Sequence, residues 1–113
     1  MNNKRRREIG KIIMSVQSAS RQTDVSAAAD IVDEAKDATS DVRDDEQDCL
    51  DNLPENLESS DMYRKMEDAV DYLDDAIDSL GDAYDELTGE DASVEDATPS
   101  LDSAIVSLER AAE

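Results

Sequence analysis

From Met62 to Leu87 the residues Met62, Met66, Ala69, Leu73, Ala76, Leu80, Ala83 and Leu87 follow one another at alternating spacings of four and three, without a break. With 3.6 residues per turn, such positions return to one side of an α-helix, so this run is a heptad seam. Tyr63, Val70, Ile77 and Tyr84 recur every seven residues beside it. The combined stripe is wider than a two-stranded coiled coil uses and points to a helical bundle. Ser59, Ser60 and Asp61 offer N-caps, and Gly89 stands where a helix C′ residue belongs. Gly81 is an interior weak point, about 1 kcal/mol poorer than Ala.

The seam matters because composition alone argues against folding. Leu, Ile and Val total 21 of 113 residues, against a formal net charge of −20. Chains in that range are expected to be disordered unless their apolar residues are regularly placed. A second regular run exists upstream, where Ala28, Ile31, Ala35, Ala38, Val42, Cys49 and Leu53 keep the three-four spacing with Asp45 as the interruption. This second helix is expected to end near Pro54, since the residue before a proline avoids the α region. The short Pro54–Glu58 connection makes the pair an antiparallel hairpin. Ile9, Ile12, Ile13 and Val16 mark a basic amphipathic helix at the start, whose continuation through Ser18–Asp24 is left open. Near the end, Thr98 is read as a cap and Pro99 as the first helical residue of a last helix carrying Leu101, Ala104, Ile105, Leu108 and Ala112, with Glu90–Ala97 as linker. No strand pattern is present. The expected fold is all-α: an antiparallel helical hairpin or small helical bundle with coiled-coil-like packing. It is divided into a basic helix (1–23), an acidic hairpin (24–89) and a linker with a short helix (90–113).

Charge is segregated along the chain. Residues 1–23 hold Lys4, Arg5, Arg6, Arg7, Lys11 and Arg21 against Glu8 alone, whereas the remainder carries 30 acids and five bases. A polyanionic body repels nucleic acid and anionic membrane and attracts basic surfaces, so cationic partners are expected and direct nucleic-acid or membrane binding by the body is not. The basic helix is expected to pack its Ile face on the hairpin or on a second copy, its bases partly neutralising the acidic body. The alternative is contact of those bases with nucleic acid or membrane, without aromatic residues for base stacking. Without His, and with Cys49 as the single cysteine, nucleophile–base pairs and the usual zinc sets are disfavoured, and no cofactor is expected. No run has the ligand spacing of a calcium loop, and a di-iron bundle site would need a His. No apolar run reaches membrane-spanning or secretory length, which is read as a soluble, cytoplasmic protein.

The acids are ordered. Asp30, Glu34, Asp37, Asp41, Asp44, Asp48 and Asp51 repeat at four-three spacing along the second helix, and Asp71, Asp75, Asp78, Asp82 and Asp85 along the third. Each line carries about one charge per 5 Å of axis. Like charges at i,i+4 oppose a helix by roughly 0.2–0.5 kcal/mol per pair, and Asp is a poor helix former. Yet 20 of the 31 acids are Asp. Two readings stand: solvated outer faces of an acidic bundle, or an imitation of the phosphate backbone, in which short Asp side chains keep charge close to the helix.

The segment DDEQDCLDNLPENLESSDMYRKMEDAVDYLDDAIDSLGDAYDEL (Asp44–Leu87), together with the opening NKRRREIGKII, resembles a group of short acidic helical proteins of bacteriophages and prophages of gut bacteria. Their shared pattern is a basic opening helix, DEQ followed by DNLPE, and an acidic heptad helix with repeated (A/V)-D-x-L-(D/E)-x-A-I. The likeness covers roughly half the chain, with DNLPE its more specific part, and the residues between Val16 and Asp44 and after Gly89 depart from it. The resemblance implies a phage context, a bacterial host cytoplasm and a helical hairpin. It assigns no catalytic residue. Small acidic phage proteins often block host defence or nucleic-acid-binding proteins. The expected function is therefore a non-enzymatic, anti-CRISPR-like inhibitor whose twelve striped acids occupy the basic nucleic-acid-binding surface of a host protein such as a CRISPR effector. The alternative is a self-associating structural or scaffolding bundle with acidity serving solubility alone.

Overall fold

The computed structural model describes residues 1–54 and 60–113; Ser59 and most of the expected Pro54–Glu58 connection lie outside the described residues. Four helices follow in order: α1 (Asn3–Ala19), α2 (Val25–Asp51), α3 (Asp61–Thr88) and α4 (Val94–Ala111). Each begins on a side chain that accepts a hydrogen bond from a first-turn amide, satisfying one of the donors a helix start leaves open. Asn2 accepts from the Arg5 N–H at 2.9 Å, Asp24 from Ser26 at 3.0 Å, Ser60 from Tyr63 at 3.2 Å and Ser93 from Asp96 at 3.0 Å. The polar stretch after α1 is a break: the Arg21 and Gln22 amides tighten the last turn, and extended Asp24 starts α2.

Each helix packs on the next, and α1 also meets α4, closing an all-α four-helix bundle. The Arg6 Nε–H donates to the Ala112 carbonyl at 3.0 Å, tying the start of α1 to the end of α4. Among the described residues, ten of the 23 buried apolar residues are alanine. On α3 they alternate with leucine, as Ala69, Leu73, Ala76, Leu80, Ala83 and Leu87, and α4 repeats the device with Ala97, Leu101, Ala104, Leu108 and Ala111. Large side chains over small ones let two helices approach closely and interlock. Such a core buries little apolar area per residue, so modest perturbations should register in stability.

The α3 seam is buried as the spacing predicts, apart from Met62, which is 57% exposed. Of the neighbouring line, Val70 is buried, Tyr63 and Ile77 partly so, and Tyr84 exposed. Tyr72 lies 6.0 Å, ring centroid to Cζ, from the Arg110 guanidinium.

Two expectations are corrected. On α2 the buried residues are Ala28, Ala29, Val32, Ala35, Thr39, Val42, Glu46 and Leu50. Of the expected seam only Ala28, Ala35 and Val42 belong to them; Ile31, Ala38, Cys49 and Leu53 are partly buried. The cause is that α2 packs on both α1 and α3, so its buried arc is rotated from a single seam, and Glu46 enters while Asp45 stays outside. Thr39 answers its burial by donating its hydroxyl to the Ala35 carbonyl at 2.7 Å. The second correction is the start of α4, which precedes Thr98 and Pro99 by a full turn. Ser93 and Asp96 have the three-residue spacing of a capping box, and the earlier start buries Ala97. Pro99 then sits inside the helix, where its missing N–H leaves the exposed Glu95 carbonyl without its usual donor.

Candidate functional site

All twelve striped acids are exposed. On α3 the line Asp71, Asp75, Asp78, Asp82 and Asp85 is about half a turn from the Ala/Leu seam, as 3.6 residues per turn requires. On α2 the line from Asp30 to Asp51 likewise lies opposite the buried arc. At a rise of 1.5 Å per residue the two lines extend about 32 Å and about 21 Å. Among the described residues, only two of the twelve side chains have a partner. Asp44 is 3.4 Å from Arg43 Nη1, and Asp51 accepts from the Gln47 amide at 2.8 Å. The other ten have no hydrogen bond or ion pair, so their charge faces solvent.

The lines do not merge. Between them runs the α2–α3 junction, where Arg43 Nε donates to Asp74 at 2.9 Å and Lys36 Nζ lies beside Gly81. The Asp74 hydrogen bond is the main cause of an Arg43 guanidinium pKa held above its ordinary value; burial opposes it, and the charge of Asp74 and the contact with Asp44 add to it. This pair is partly exposed and contributes at most about 1 kcal/mol. Its signal in the sequence is that Lys36 and Arg43, seven apart, are the only bases on α2. The spacing places both on the face that meets α3.

Helix ends sharpen the electrostatic picture. The first turn of α1 carries Lys4, Arg5 and Arg6 with no acid, and the last turn of α2 carries Asp48 and Asp51 with no base. Both arrangements oppose the helix dipole, which favours acids at the start and bases at the end. Of the N-terminal bases, Arg5 is spent inside the chain on Glu46 and Arg6 on the Ala112 carbonyl. Lys4, Arg7 and Lys11 are exposed and, among the described residues, have no ion-pair partner.

Among the described residues, no three His, Cys, Asp or Glu side chains are grouped so as to hold a metal ion, and no helix is long and apolar enough to cross a membrane. The arrangement suits long-range attraction of a cationic surface followed by contact along a line of carboxylates. No protein-family model, curated protein or solved structure matches the chain.

Proposed function

We propose that this chain is a non-enzymatic interaction protein of phage type that occupies the nucleic-acid-binding surface of a basic host protein, imitating phosphates with its acidic lines. The observation that carries this reading is that, among the described residues, ten of the twelve striped carboxylates have no partner, on helices whose like-charge spacing lowers their own stability. A surface serving solubility alone gains nothing from such alignment, since scattered acids with interspersed Lys keep a protein soluble at smaller cost. One strand of duplex DNA carries a charge each 3.4 Å, and about one per 5 Å on a rigid rod is near enough to engage the same Arg and Lys side chains. A CRISPR effector or another defence nuclease would present such a surface, and the bacterial cytoplasm would be the place of action.

The test is capture from a nuclease-treated bacterial lysate on immobilised protein, followed by elution with duplex DNA or RNA. Release of one or a few nucleic-acid-binding proteins by nucleic acid, but not by polyglutamate at equal charge, is the expected result. Indiscriminate release by both polyanions would reduce the interaction to bulk charge and overturn the reading.

A further inference from the structure

A groove of about 680 Å³ runs along the outer side of the α1–α2 contact. Its floor and lips are apolar or small: Ile12 and Met14 from α1, Ile31, Ala35 and Ala38 from α2. These include two members of the apolar seam expected on α2 that the bundle leaves only partly buried. Met14 is 69% exposed at the lip, the largest exposure among the bulky apolar residues described.

The banks carry opposite charge. Lys4, Arg7, Lys11, Met14 and Ser18 follow at spacings of three and four, so they lie on one line of α1; Lys11, Met14 and Ser18 border the groove directly. Glu34, Asp37 and Asp41 form the matching line of α2, with Glu34 and Asp41 on the groove. Glu8, partly buried, is the one acid on the α1 side. Among the described residues none of these seven charged side chains makes an ion pair within the chain, although Glu8, Lys11, Glu34 and Asp41 line the same groove.

We propose that this face is the interface of a homodimer, with a second copy of the chain as the occupant of the groove. A two-fold axis parallel to the helices lays α1 of each copy over α2 of the other, so that each basic bank meets an acidic bank and the interface is self-complementary. An axis across the helices would lay α1 on α1 and α2 on α2, setting the two α2 acidic lines against each other, and is disfavoured. The Met14 side chain of each copy, flexible and apolar, fills the groove of the other. The contact takes up Glu34, Asp37 and Asp41 of the α2 line and leaves the α3 line outside, so in the dimer the inhibitory role proposed above rests on the α3 line.

Sedimentation of the full chain tests the interface. The wild type should sediment as a dimer, and Met14→Asp as a monomer of unchanged helicity, because the residue is exposed in the single chain. Arg7→Glu with Lys11→Glu, and separately Glu34→Lys with Asp41→Lys, should each abolish dimerisation. An equimolar mixture of these two double variants should restore it, since both banks are then matched in the mixed pair. A wild type that is monomeric up to the low millimolar range overturns the proposal, as does a dimer that survives both double variants. A monomer that instead binds a synthetic Lys/Leu amphipathic helix through Met14 would assign the groove to a foreign cationic helix and also overturn it.

Discussion

Arg5 Nε donates to Glu46 Oε2 at 2.7 Å, and the carboxylate it meets has no exposure to solvent. The Met1 ammonium is 3.6 Å from Oε1, which accepts no hydrogen bond. This cluster joins α1 to α2. Removing one partner of a buried pair costs about 3–5 kcal/mol, because the other charge is left stranded, whereas replacing both by apolar residues is often neutral. Arg5→Ala should therefore lower stability by about 3 kcal/mol in urea unfolding, and Arg5→Leu with Glu46→Leu should recover most of the loss. A cost below about 1 kcal/mol for Arg5→Ala would mean that the pair does not hold α1 in place.

Gly10 and Gly81 lie inside helices with ordinary negative φ. A Cβ at Gly10 meets nothing within 4 Å, and at Gly81 its nearest neighbour is Lys36 Nζ at 3.5 Å, an ordinary contact at the end of a flexible side chain. Alanine at each position should stabilise by about 0.5–1 kcal/mol, read as a raised denaturation midpoint at unchanged slope. A loss at Gly81 would show that the α2–α3 junction is tighter than its geometry.

What the sequence made legible follows from residue size. On α3, Leu73, Leu80 and Leu87 fix the buried face, and the acidic line opposite them is then exposed by helix geometry alone. On α2 the small residues Ala27, Ala28, Ala29, Ala35 and Ala38 fit either of two adjacent arcs, so spacing could not choose between Ile31 and Val32, or show Glu46 turned inward to meet Arg5. At α4 the strong preference of Pro99 for a first helical position hid the weaker Ser93–Asp96 capping spacing. The α1–α2 groove was not legible, because its depth depends on how far the rotated α2 arc leaves Ile31 and Ala38 uncovered.

Salt should stabilise the fold. At a net charge of −20, with ten unpartnered acids in two lines, screening relieves more repulsion than it weakens attraction, since the four ion pairs of the described residues include only two at the surface. The Tm should rise by about 5 °C or more between low and moderate ionic strength. A flat or falling profile would contradict the view that the lines cost stability.

The acidic line on α3 is the most direct test of the account. Asp75→Asn, Asp78→Asn and Asp82→Asn together remove three charges from the middle of the line. Glu90→Gln, Asp91→Asn and Asp102→Asn remove three exposed acids elsewhere; Glu95 is avoided because it lies in the first turn of α4 and favours that helix start. Both triple variants have the same net charge, and the first should be unchanged or slightly raised in stability as i,i+4 repulsion is relieved. The decisive measurement is the amount of nucleic-acid-displaceable protein that each variant captures from a nuclease-treated bacterial lysate, relative to wild type. Phosphate imitation predicts at least a tenfold loss for the first variant and near wild-type capture for the second. Equal capture by the two would contradict it.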